Sequence, residues 1–335
     1  MSSNPSHPIR DSFGRIHNNL RISVTDRCNI RCFYCMPEQN VTFLPRKELL
    51  TFEEITRFVK ILAPQGVDKL RITGGEPLVR KDVSELIRRL VAIDGIEDIA
   101  MTTNGVLLAD HAAALREAGL HRLNISLDGL SEETFQRISR RTGIQKVIDG
   151  IDAAKSAGFQ KIRLNAVSIA GITEAEIIPL SEYAFKSGLE LRFIEFMPLD
   201  AEEGWQKDLV LTGESIRARL EDRWGPLVPA PRPDPSQPSV DYRVKNGTGL
   251  VGFIDPVSSP FCSTCNRIRI TAEGQFRNCL FSTKEWDVRR LMRDGGSDKE
   301  IEALVRDCVA QKKAAHGIDS EDFERPKKSM FQIGG

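Results

Sequence analysis

Residues 20–35 read LRISVTDRCNIRCFYC: a short strand, Leu20–Thr25, runs into a loop carrying Cys28, Cys32 and Cys35. The same strand-then-helix unit recurs as far as residue 195. Strands are expected at Leu20–Thr25, Lys69–Thr73, Asp98–Thr102, Arg122–Leu127, Ile162–Ile169 and Leu191–Phe196. Between them helical periodicity takes over. Thr51-Phe-Glu-Glu54 offers a capping residue and an acidic first turn, and Ile55, Phe58, Val59 and Leu62 mark one apolar face. Asp82–Ile93 repeats the pattern through Val83, Leu86, Ile87 and Leu90, and stretches near 109–118, 144–157 and 174–187 follow it. Six βα units with right-handed crossovers predict an α/β fold, a parallel sheet curled into a partial (βα)6 TIM-like barrel. Two units short of a full barrel, such a sheet keeps a wide mouth where the βα loops gather.

The character changes after Phe196. Residues 225–240 (GPLVPAPRPDPSQPSV) hold six prolines and read as an extended, semi-rigid connector. Beyond it, Lys245-Asn246-Gly247 and Ala272-Glu273-Gly274 signal two hairpins, and a helix is expected from about Asp298 to Lys313. The organisation read from sequence is an N-terminal extension (1–19), the partial barrel (20–224), the connector (225–240) and a smaller α+β C-terminal region (241–335). A chain of 335 residues with 47 basic and 47 acidic side chains buries an ample core and has no global charge to draw it to nucleic acid or an anionic membrane. Anion binding must therefore come from a local cluster. The first twelve residues lack an apolar run, and none elsewhere approaches the length of a membrane span, so the chain reads as cytoplasmic.

Seven cysteines fall at 28, 32, 35, 262, 265, 279 and 308. An odd number in two distant groups points to metal ligands in a reducing compartment rather than disulfides. Cys28-x3-Cys32-x2-Cys35 is tight enough for one loop to wrap an inorganic centre. Three thiolates on a four-iron cluster leave one iron open, whereas a zinc knuckle needs a fourth ligand; His17 is the nearest histidine. Cys262-x2-Cys265-x13-Cys279 offers a second trio. Cys308 shares a helical face with Ile301, Leu304, Val305 and Val309, which makes it a core residue. Beside this trio runs Asn266-Arg-Ile-Arg-Ile270, whose arginines share one strand face while the isoleucines take the other. Guanidinium forks suit phosphate oxygens, and Arg21 and Arg71 lie on strands leading to the same mouth.

The Cx3Cx2C spacing, with Tyr34 before its last cysteine, closely resembles the radical S-adenosylmethionine (SAM) enzymes, whose partial barrel has the same unit count. Gly74-Gly75-Glu76-Pro77 matches their GGEP element. The resemblance implies that Tyr34, Gly75, Ser126 and Met197 contact SAM and that Cys28, Cys32 and Cys35 hold a [4Fe–4S] cluster. With Thr102-Thr-Asn-Gly105, FCSTCNR at 261–267 and the terminal Gly334-Gly335, the chain resembles within that superfamily the GTP 3′,8-cyclase family of molybdenum cofactor biosynthesis. This implies a second [4Fe–4S] cluster on Cys262, Cys265 and Cys279. GTP contacts are implied for Arg21, Arg71, Thr102, Arg163, Arg267 and Arg269, and catalytic roles for Arg21, Gly334 and Gly335. At position 163 the family can carry Lys; Arg keeps the charge with a different donor geometry. The reaction implied is a lyase-type conversion of GTP to (8S)-3′,8-cyclo-7,8-dihydroguanosine 5′-triphosphate. The partners implied are an electron donor and the downstream cyclic pyranopterin monophosphate synthase; the resemblance also allows a homodimer. Two other readings stand beside it: a peptide-modifying radical SAM maturase, and a zinc-stabilised nucleotide-binding protein without catalysis.

Overall fold

The six strands expected from the sequence all form in the computed structural model, which describes residues 7–200, 202–245, 247 and 249–334. They are β1 (Asn19–Ser23), β2 (Lys69–Thr73), β3 (Asp98–Thr103), β4 (Arg122–Ser126), β5 (Ile162–Ser168) and β6 (Glu190–Glu195). Helices α1 (Phe52–Leu62), α2 (Val83–Val91), α3 (Leu108–Glu117), α4 (Glu132–Ser139), α5 (Ile144–Ser156) and α6 (Ile177–Lys186) connect them, and α7 (Gly213–Trp224) follows. The Thr51 side chain caps α1 by accepting from the Glu54 N–H at 3.1 Å, while the Glu54 carboxylate accepts from the Thr51 N–H at 2.7 Å. Helix α4 is an element the sequence reading passed over. Its start is marked by Ser131, which accepts from the Thr134 N–H, and by Glu132 and Glu133 in the first turn.

The rest of the chain adds β7 (Leu227–Pro229), β8 (Val240–Val244), β9 (Leu250–Ile254), β10 (Arg267–Ile270), β11 (Gln275–Arg277) and β12 (Trp286–Asp287). With them come α8 (Val288–Arg293), α9 (Asp298–Ala310) and α10 (Met330–Ile333). Both expected hairpins form, β8 with β9 and β10 with β11, each antiparallel; Asn246, in the first turn, lies outside the described residues. These strands join the barrel's own sheet, whose order is β12-β11-β10-β1-β2-β3-β4-β5-β6-β9-β8-β7. Because β10 runs parallel to β1 and β9 parallel to β6, the parallel run extends at both edges beyond the six units read from sequence. The sheet remains open. The proline-rich segment carries β7, and its Asp234 pairs with Lys69 at 2.7 Å.

Polar and apolar residues alternate along these strands, unlike the unbroken apolar runs of a parallel sheet with helices on both faces. Leu20, Ile22, Leu70 and Ile72 pack outward in one core with Ile55, Phe58, Leu62, Leu86 and Leu90 of the helices. Asn19, Arg21, Lys69 and Arg71 face the other way and line a cavity. Cys308 is buried in α9 within the main core, as its helical spacing predicts. Among the described residues no helix is long and apolar enough to cross a membrane.

Candidate active site

The first cysteine loop is held by its neighbours on β2 and β3. The Gly75 N–H donates to the Thr25 carbonyl at 2.7 Å and the Glu76 N–H to the Arg27 carbonyl at 2.8 Å. This approach requires glycine, since a Cβ on Gly75 would sit 2.3 Å from the Arg27 carbonyl oxygen. The buried Glu76 carboxylate then accepts from the Thr103 hydroxyl and the Asn104 N–H, both at 2.7 Å, tying GGEP to TTNG. Asn104 reaches back to Asn29 at 2.7 Å and the Cys28 sulfur at 3.6 Å. Burial pushes Glu76 up to about 7, against these hydrogen bonds. Tyr34 donates to Asp128 at 2.7 Å, which orients the aromatic of the motif. Burial, with Glu76 adding to it, raises the Cys28 thiol to about 11, and burial likewise drives Cys32 and Cys35 upward. Thiols in this state ionise against bound cations, which suits iron ligation.

Across the same cavity, of about 470 Å³, stand Cys262, Cys265 and Cys279. Cys262 and Cys265 flank a short turn between β9 and β10, and Cys279 follows β11. Burial alone would raise the Cys265 thiol, but Arg267 and Lys312 beside it pull it down to about 6. Strand register supplies the charge between the trios. Arg269 pairs with Arg21, and Arg21 with Arg71, so three guanidinium side chains point inward from adjacent strands. The buried Nε of Arg21, the Nε of Arg71 and the NH1 of Arg267 have no hydrogen-bond partner among the described residues. Among the described residues Arg71 reaches only Thr102, at 3.5 Å. Unsatisfied buried donors of one charge, side by side, define an anion site.

Family comparisons agree with this geometry. A family model for the Radical SAM superfamily matches residues 22–184, and one for Molybdenum Cofactor Synthesis C matches residues 189–318. The GTP 3′,8-cyclase of Rhodopirellula baltica is 52% identical over 99% of this chain and 94% of the relative. That of Pelotomaculum thermopropionicum is 42% identical over 98% of this chain and all of the relative (100%). The chain belongs to the GTP 3′,8-cyclase family. Among solved structures, SuiB of Streptococcus suis aligns with a TM-score of 0.61 at 14% identity, over 91% of this chain and 68% of SuiB, which shows a common fold.

The family's radical SAM chemistry calls for SAM and a [4Fe–4S] cluster, and the residues present fit both: a buried thiol trio, with the glycine cradle of GGEP against it. Ser126, at the end of β4, and Met197, past β6, line the cavity, as do Tyr34 and Gly75. All the arginines expected to meet GTP line it too. Arg163 differs from the rest, because its Nε already donates to Glu190. The tail enters the same space. Phe331 and Ile333 are buried, and the Phe331 backbone opposes the upward push of burial on the Cys35 thiol. The Gly334 carbonyl accepts from Arg269 at 2.6 Å. Gly334 has φ +83°, and a Cβ there would meet Ser23 at 2.9 Å. Gly335 lies outside the described residues.

Sequence reasoning missed several cavity residues. Lys69, Arg122, Asn124, Asn165 and Arg192 belong to the same polar alternation as Arg21 and Arg71, and that period was the available signal. His316, distant in sequence from the upstream cysteines, lines the cavity with its ring 5.2 Å from Phe281 and a buried Nε2 that has no partner among the described residues. The N-terminal extension also participates: Arg15 donates to the Cys262 carbonyl at 2.7 Å.

Proposed function

We propose that this chain is a radical SAM lyase that converts GTP to 3′,8-cyclo-7,8-dihydro-GTP, the first step of molybdenum cofactor biosynthesis. The observation that carries the reading is a single cavity bounded by two cysteine trios, with a row of unsatisfied guanidinium groups between them. Cys28, Cys32 and Cys35 hold one [4Fe–4S] cluster, with Tyr34, Gly75, Ser126 and Met197 around SAM. When bound and reduced, this pair supplies the 5′-deoxyadenosyl radical that takes the ribose 3′ hydrogen of GTP. Cys262, Cys265 and Cys279 would hold a second [4Fe–4S] cluster, which would supply a Lewis-acid contact for the purine.

Arg21, Arg71, Arg267 and Arg269 neutralise the triphosphate as Thr102 fixes its position. Arg163 contributes through the N–H groups that Glu190 leaves free. The apolar tail residues Phe331 and Ile333 exclude water, and Gly334 and Gly335 bring bare backbone to the reacting nucleotide. We further propose that the enzyme works in the cytoplasm, supplied by an electron donor and passing its product to cyclic pyranopterin monophosphate synthase. The test is anaerobic reconstitution with iron, sulfide, SAM and GTP. About eight irons per chain, with 5′-deoxyadenosine and cyclised nucleotide formed together, support the reading. Stoichiometric zinc without iron, or SAM cleavage that never yields cyclised nucleotide, overturns it.

A further inference from the structure

A buried lysine stands directly behind the second cysteine trio. Lys312, just beyond α9, is 5% exposed, and lysine is almost never this buried unless its charge is paired. Its Nζ donates to the Arg267 carbonyl at 2.8 Å and to the Cys265 sulfur at 3.5 Å. Among the described residues it has no carboxylate partner. The surrounding groups make the position harder to explain. Arg15 and Arg267 are cations, and the nearby Asp11 is already engaged by Arg15 at 2.6 Å and His17 at 3.0 Å. The groups that face Lys312 instead are the sulfurs of Cys265 and Cys279.

We propose that Lys312 is a positioning residue for the second iron–sulfur centre, donating an N–H to the Cys265 sulfur and withdrawing electron density from it. The proposal rests on the reading of Cys262, Cys265 and Cys279 as cluster ligands. Hydrogen bonds and net charge at the ligating sulfurs set the potential of such a centre. A donated N–H at Cys265 raises that potential and makes the open iron a better acceptor for a purine nitrogen. The lysine's second bond, to the Arg267 carbonyl, fixes the start of β10, so one side chain sets both the cluster's charge and the phosphate-binding strand.

The test uses the full chain, anaerobically loaded, as wild type, Lys312→Met and Lys312→Arg. Lys312→Met keeps the apolar stem and removes the donor. Potentiometric titration followed by electron paramagnetic resonance reads each centre, and equilibrium binding reads GTP. In Lys312→Met the second centre's potential is expected to fall and GTP to bind roughly 10–100-fold more weakly, the usual scale for an outer-sphere partner. The first centre's potential and SAM binding should hold, and Lys312→Arg should lie between the two. Loss of the second cluster from Lys312→Met but not from Lys312→Arg also supports the proposal. A fully loaded Lys312→Met with an unchanged second potential, or loss of that cluster from both variants alike, overturns it while leaving the cluster reading intact. Wild-type protein that loads only the first cluster overturns both.

Discussion

Replacing Arg21 by Met should make the enzyme more stable without GTP and less able to bind it. Arg21 sits between Arg269 and Arg71 in strand register, and neighbouring strands lie about 4.8 Å apart. At an effective dielectric of about 20, two like charges repel by about 3 kcal/mol at 5 Å and about 2 kcal/mol at 8 Å. Arg21 is held below the ordinary arginine range by burial first and then by Arg269 and Arg267, and Arg71 by burial and then by Arg21. Counter-ions relieve part of the repulsion, and Met keeps the stem's packing. The net gain in the ligand-free protein should be about 1–3 kcal/mol, a rise in melting temperature of roughly 2–6 °C. GTP, in contrast, loses a charge-assisted contact of about 1.5–3 kcal/mol, or roughly 10–150-fold in affinity. The assay is thermal melting of anaerobically loaded protein at low salt, with and without GTP or tripolyphosphate. Both ligands should stabilise wild type markedly and the variant little. An Arg21→Met protein that melts lower than wild type without ligand, or binds GTP equally well, refutes the argument.

Other perturbations separate the parts of the site. Deleting Gly334 and Gly335 should preserve both clusters and 5′-deoxyadenosine formation but stop cyclisation, measured by assaying the two products separately. Cys28→Ala should abolish SAM cleavage, whereas Cys279→Ala should leave uncoupled cleavage detectable by 5′-deoxyadenosine release. Arg267→Ala should weaken GTP binding by about 1.5–3 kcal/mol with SAM binding hardly changed; equal loss of both ligands would indicate misfolding instead. His17 is kept neutral, down to about 4 from its usual 6.5, by burial and then the charge of Lys312, with Asp11 opposing. As pH falls from about 6.5 to about 4 the unfolded chain takes up the proton first, so stability should drop by about 3 kcal/mol. Denaturant midpoints of His17→Gln across that range should be correspondingly flatter.

Local signals carried much of this fold. The Thr51 cap, the Leu86–Leu90 face and the β-branched runs each form the element their spacing predicts, because short-range propensity and one-sided burial decide them. The thiol trios were legible from spacing alone. Pairing was not: nothing local to Arg267-Ile-Arg-Ile270 says that it will lie beside β1, 248 positions earlier at Arg21↔Arg269. The extent of the parallel run was therefore missed. Arg122, Asn124, Asn165 and Arg192 on β4 to β6 were missed for a different reason, since a polar residue in a parallel strand is meaningful only once the cavity is known. His316 and Lys312 were invisible because each reaches its thiol trio through tertiary folding, from a segment with no chemical motif of its own.

The long loop closed by that β1–β10 pairing also dictates when the site can exist. A ribosome releases β1 and the first cysteine loop early, yet β1 keeps a bare edge until β10 emerges, and β6 lacks its outer neighbour until β9 does. Contacts so distant along the chain delay folding, and unpaired strand edges invite aggregation in the interval. The residues that close the chamber, α10 and Gly334, come after every strand of the sheet in chain order. Iron acquired during translation would meet three thiols in an unfinished cup, open to oxygen and water. Cluster loading and folding are thus bound to the emergence of that closing segment, and a product stalled before it is a chain with exposed thiols and no enclosure for them.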